Sequence, residues 1–176
     1  MKKRLGFLLF SLILTTVAFA SSKTQPIGND SIELKGMVFN NQDRVRNVII
    51  KVYSNNKLIK TERLASSNRV RTNLPINAEL TIEISADGYH AKRFIFNTHV
   101  PHDIRRIPNY QFDIDIFREE ELAGVNTSIL DFPVGIVEYD ERKKEFIRNK
   151  KYTKRMKKAY LDLWEESQMS DRSGLE

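Results

Sequence analysis

Leu80, Ile82 and Ile84 alternate with Thr81, Glu83 and Ser85 and run straight into Asp87-Gly88. An apolar side chain at every second position lines one face of an extended strand, and Asp-Gly supplies the positive φ that a tight hairpin needs. The same period recurs along the chain. Ile32, Leu34 and Val38 alternate with Glu33, Lys35 and Met37, and Val48, Ile50 and Val52 form a second run. Asn55-Asn56 turns that run into a third at Leu58-Ile59. Further strands are expected over Tyr89 to Asn97, over Tyr110 to Ile116, where Asp113 and Asp115 mark a wet face, and over Ile129 to Tyr139. Asn40 to Arg44 reads as a polar loop. About seven short strands with turn residues between them predict an all-β, antiparallel immunoglobulin/transthyretin-like sandwich rather than a parallel sheet with crossover helices.

The period changes only at the end. Tyr152, Met156, Ala159, Tyr160 and Leu163 recur at helical spacing, so a C-terminal amphipathic helix is expected over 152–168, with Thr153 as its cap and 169–176 as a frayed tail.

The first twenty residues belong to a different problem. Lys2, Lys3 and Arg4 precede an apolar run from Leu5 to about Val17, and Ala18-Phe19-Ala20 has the small-x-small form that signal peptidase accepts. Residues 1–20 are therefore read as a signal peptide and 21–30, rich in Ser, Thr, Asn and Gly, as a flexible lead. The expected location is the periplasm or outer membrane surface, or the medium. The formal net charge of +6 owes half its value to the three bases of that signal. The chain has no cysteine, which excludes a disulfide scaffold, a thiolate metal site and a cysteine nucleophile.

Gly36-Met37-Val38, Val48-Ile49-Ile50-Lys51-Val52-Tyr53, Leu74-Pro75, Leu80-Thr81-Ile82-Glu83-Ile84 and Asp87-Gly88-Tyr89 together resemble the carboxypeptidase regulatory-like domains, close to the transthyretin-like and B-type collagen-adhesin repeats. The resemblance covers residues 31–98 and implies a β-sandwich core in which the hairpin tyrosine packs inward. Residues 99–151 would complete or extend that sandwich. Phe132-Pro133-Val134, Phe146 and Tyr152-Thr153 are similar to a C-terminal extension found on exported bacterial envelope proteins. The implied function is a non-catalytic module that stiffens, spaces or binds. Adhesin-type relatives form Lys-Asn isopeptide bonds assisted by a carboxylate, for which Lys35, Asn97 and Glu79 or Glu83 are the candidates here.

Chemistry-bearing clusters are few. His99, His102 and Asp103 have the residue types of a zinc site with an open position and define one alternative, a small metal-dependent hydrolase. Pro101 and the lack of a regular period place them on a loop, and neither a bound metal nor an organic cofactor is expected. Asp113 and Asp115 share a strand face, as alternating acids on a solvated strand commonly do.

Charge is the most asymmetric feature. Residues 109–140 hold eight acids and one base, whereas 141–160 hold ten bases and two acids. Lys150, Lys151, Lys154, Arg155 and Lys158, with Tyr152 and Trp164, are the candidate partner-binding residues, facing an envelope protein or an anionic envelope surface. A second alternative is thus a peripheral binder acting through the basic 142–158 segment. Nucleic acid is not an expected partner, since the aromatics are not interleaved for base stacking.

Overall fold

The computed structural model describes residues 31–173, so the expected signal peptide and lead, and residues 174–176, lie outside the described residues. Ten strands precede one helix: β1 (Ser31–Asn40), β2 (Asp43–Arg44), β3 (Val48–Ser54), β4 (Lys57–Leu64), β5 (Arg69–Pro75), β6 (Glu79–Ser85), β7 (Lys92–Asn97), β8 (Tyr110–Asp115), β9 (Ile136–Asp140), β10 (Glu145–Arg148) and α1 (Lys150–Ser173). In one sheet β1 is central, paired with β5, β8 and the short β2; the other runs β10-β9-β7-β6-β3-β4. The all-β sandwich with a C-terminal helix is the fold of the chain.

Pairing is antiparallel except at two places. β8 lies parallel to β1, with Leu34 opposite Tyr110, and β9 lies parallel to β7, with Ile95 opposite Ile136. Period-two patterning is identical for both directions, which is why alternation alone suggested a purely antiparallel arrangement. Residues 110–148 thereby supply strands to both sheets.

The alternating apolar residues meet between the sheets. Ile32, Leu34 and Val38 face Ile50, Val52, Leu80, Ile82 and Ile84, all essentially without exposure. Gly36 falls in the same inward phase because the Phe112 ring crosses that position, and a Cβ there would lie 2.5 Å from Phe112 Cε1. Phe96 packs between Tyr110 and Phe146, with ring centroids at 5.2 and 4.9 Å. Polar contacts close the two open sides. Arg148 Nε on β10 donates to the Tyr110 hydroxyl on β8 at 2.8 Å. On the other side Lys60 Nζ on β4 donates to Thr72 Oγ1 on β5 at 2.7 Å, and Thr72 Oγ1 donates to Glu62 at 2.9 Å.

Several boundaries differ from the sequence expectation, each for a local reason. Residues 40–44 form a two-residue hairpin into β2, with Asn41 and Gln42 at φ 47 and 75. The return strand starts at Lys92 rather than Tyr89, and Tyr89 instead bridges Arg118. Over 129–139 a strand forms only from Ile136. Ser128–Asp131 is a 3-10 turn that delivers Leu130 to the helix, and Pro133 offers no N–H to a ladder. The helix is capped by Asn149 and not Thr153: Asn149 Oδ1 accepts from the Tyr152 N–H at 3.0 Å. It continues through Ser173, past the expected end at 168.

The helix has its own small core. Met156, Tyr160 and Leu163 pack on Leu122 and Leu130, both brought in by 3-10 turns, Glu120–Leu122 and Ser128–Asp131. Phe117, just after β8, stacks on Trp164 with centroids 5.8 Å apart and planes 8° apart.

Candidate anion-binding surface

The sequence of α1 separates into two faces. Stepping roughly 100° per residue, Tyr152, Met156, Tyr160 and Leu163 fall on one side, while Lys150, Lys151, Lys154, Arg155, Lys157 and Lys158 fall within an arc of about 160° opposite. The first group is buried or half-buried and the second is exposed. The helix is held down by its apolar stripe, which leaves the cationic face directed to solvent.

That face is electrostatically unfavourable for the chain that carries it. The first turn contains Lys150 and Lys151 and no acid, at the helix end where exposed N–H groups already carry partial positive charge. Lys150, Lys154 and Lys158 follow one another at i, i+4, a spacing at which like charges repel. Among the described residues, none of the ten bases of 141–160 forms an ion pair with a carboxylate. Part of the preceding acidic block is occupied elsewhere. Glu121 accepts from the Asn40 side chain at 2.8 Å, Asp131 lies 3.8 Å from Arg93, and Asp140 accepts from the backbone N–H groups of Arg142 and Lys143. The two charge blocks adjoin in sequence without neutralising each other in space.

The remaining expected binding residues have internal work. The Tyr152 hydroxyl donates to the Pro133 carbonyl at 2.8 Å, and Arg155 lies over the Tyr152 ring at 5.0 Å. Trp164 is half-buried on Phe117. These two aromatics fix the helix in place, and the exposed surface belongs to the lysines and arginine.

The structure does not assemble His99, His102 and Asp103 into a site. His99 Nδ1 is hydrogen-bonded to Asn97 Oδ1 at 2.7 Å, and among the described residues no three His, Cys, Asp or Glu side chains converge as a metal site would need. Asp113 and Asp115 stand exposed on β8. Lys35 and Asn97 lie in different sheets, Lys35 bound to Glu33 at 2.8 Å and Asn97 to His99. Glu79, opposite Asn97 on β6, and Glu83 serve neither as an isopeptide partner: Glu83 is clamped between Lys51 at 3.1 Å and Arg93 at 2.8 Å. Burial pushes its carboxyl up, and the two cations more than reverse that, holding it below the ordinary carboxylate range.

Among the described residues two charged side chains are buried, Glu83 and Lys92, and sequence reasoning assigned nothing to the second. Lys92 shares the inward phase of Phe94 and Phe96, and its Nζ lies 4.7 Å from the Phe117 centroid and 4.5 Å from that of Tyr160. Burial pushes its amine down to about 8, partly opposed by Asp115. The Tyr160 hydroxyl is itself buried and held well above the ordinary phenol range by desolvation. A lysine in step with two phenylalanines on a strand was the available signal.

Among the described residues no helix is long and apolar enough to cross a membrane. No protein-family model matches the chain, and no curated protein matches it. Solved structures are similar in part. S.CueP is 16% identical with a TM-score of 0.37, over 49% of this chain and 62% of that one. A chlorocatechol 1,2-dioxygenase from Pseudomonas putida is 13% identical, TM-score 0.36, over 53% and 64%. The 3-chlorocatechol 1,2-dioxygenase from Rhodococcus opacus 1CP is 11% identical, TM-score 0.33, over 49% and 59%. The chain thus spans less than two thirds of each of these proteins.

Proposed function

We propose that this chain is an exported, non-enzymatic β-sandwich module of the carboxypeptidase regulatory-like kind that attaches to an anionic component of the bacterial cell envelope through the basic 142–158 segment. The observation that carries the reading is the exposed row of Lys150, Lys151, Lys154, Arg155, Lys157 and Lys158, none in an ion pair with a carboxylate among the described residues, with Lys150 and Lys151 at the positive end of the helix dipole. Clustered lysines at that end repel one another and the helix dipole, and local electrostatic rules are broken where a binding surface requires it. An opposing anionic surface removes the penalty and gains about 1 kcal/mol for each base brought near it.

The test is co-sedimentation with vesicles of phosphatidylcholine alone and of phosphatidylcholine with phosphatidylglycerol. Binding is expected only to the second, with release above ~0.3 M salt, where the screening length falls to a few ångström. Lys150→Gln/Lys154→Gln/Lys158→Gln should weaken it at least ~10-fold. Equal binding to both vesicles, or attachment that survives high salt, would overturn the electrostatic reading. Crosslinking in the native host then reports whether the anionic component is lipid or an envelope protein.

A further inference from the structure

A second cationic site lies away from the exposed face of α1, in a cleft of about 520 Å³ between the 99–109 loop and the β9–β10 hairpin. Its charged lining consists of Arg105, Arg106 and Lys144 with Asp103 and Glu141, and Tyr139 supplies an aromatic wall. Three features make this a formed site rather than a mobile surface. Val100 and Ile107 pack on the main core, and the Ile104 N–H donates to the Pro101 carbonyl at 3.3 Å, so the loop is pinned at both ends and turned in the middle. Lys144 sits at φ 55 in the hairpin turn, its N–H donating to the Asp140 carbonyl at 2.8 Å. Tyr139 is held edge-on to Phe146, centroids 5.5 Å apart, and stays half-exposed.

The charges of the cleft do not satisfy one another. Three cations and two carboxylates line one cavity, yet among the described residues none of the five forms an ion pair or a side-chain hydrogen bond. Donors for an oxyanion, acceptors for hydroxyls and an aromatic wall thus line one cleft with no partner among themselves. Guanidinium groups recognise planar carboxylates through paired N–H donors. Free carboxylates accept from hydroxyls, and an aromatic face covers the apolar side of a sugar ring. The size is that of a small-ligand pocket.

We infer that the Arg105, Arg106, Lys144 and Tyr139 cleft is a binding site for an acidic saccharide, with the cations on its carboxylate, Asp103 and Glu141 on its hydroxyls and Tyr139 against its ring. This goes beyond attachment through α1 and does not depend on it.

The full chain is titrated calorimetrically with a galacturonic acid trisaccharide, with neutral maltotriose and with inorganic phosphate. The trisaccharide is expected to bind, maltotriose to bind at least ~10-fold more weakly, and phosphate not to compete at equal concentration. Arg106→Ala and Arg105→Ala should each weaken binding ~5- to 20-fold, and Glu141→Gln ~3-fold. Tyr139→Leu, which keeps an apolar group against Phe146, should also weaken it, with far-ultraviolet circular dichroism confirming the fold. Lys150→Gln/Lys154→Gln should leave it unchanged. Absence of trisaccharide binding, competition by phosphate alone, or equal loss in the α1 variant would each overturn the inference. Failure of the unsubstituted chain to attach to anionic vesicles, with intact saccharide binding, would count against the helix reading only.

Discussion

Lys92 Nζ stands 4.5 Å above the ring of Tyr160, so a strand of the larger sheet and the C-terminal helix meet through a buried cation on an aromatic face. The contact offsets burial by ~0.5–2 kcal/mol. Burial nevertheless leaves the amine titrating at about 8 in the folded chain against 10.5 unfolded. Between those values the unfolded chain binds more protons, so stability rises with pH. Denaturant unfolding at pH 7.5 and 9.5 should differ by about 2 kcal/mol in favour of the higher pH. Lys92→Met should flatten that dependence, and a flat wild-type profile would refute it. The window stops short of pH 10, where the burial-raised Tyr110 and Tyr160 hydroxyls act in the opposite sense.

Gly36 and Phe112 form a size-matched pair. Gly36→Ala places a methyl 2.5 Å from the ring and should cost ~1–3 kcal/mol by chemical denaturation. In the Phe112→Leu background the added cost should shrink by more than half. An additive double-mutant cycle would show that the two positions are not in contact.

Met156 and Leu163 are the buried anchors of α1. Leu163→Ala should cost ~2–4 kcal/mol and raise amide exchange across 150–170, while β3 and β6 stay protected. Equal loss of protection in sandwich and helix would mean that the two cores unfold as one.

Lys150→Glu/Lys151→Glu separates stability from binding. Acids at the N-terminal turn suit the helix dipole, so the variant should be more stable by ~0.5–2 kcal/mol while binding phosphatidylglycerol vesicles at least ~10-fold more weakly. Changes of the same sign in both measurements would remove the argument from helix electrostatics.

Much of the sandwich could be read from alternation, because burial on one face imposes period two wherever it occurs. Leu80, Ile82 and Ile84 are buried as the pattern requires, and Asn55-Asn56 turns with φ 48 and 61. β5 escaped notice because Thr72 stands between Val70 and Leu74 among arginines, and its hydroxyl is buried only because Lys60 and Glu62 satisfy it from another sheet. Such a partner is invisible to a local window. Ile129 and Leu130 misled for the opposite reason: they are apolar for the sake of the helix. The charge of 141–160 was plain, but its lack of acidic partners is a three-dimensional fact. So is the meeting of Arg105 and Arg106 with Lys144.

The two parallel ladders carry a consequence for the order of assembly. β1 waits for β8 and β7 waits for β9, so neither sheet acquires its full set of strands until residues far down the chain arrive. Long-range pairing of this kind is slow to nucleate. A chain cut near residue 98 keeps its hairpins but leaves one flank of β1 and one of β7 without their strands. Commitment is thereby postponed: neither sheet can close before the carboxyl-terminal third of the chain has been made.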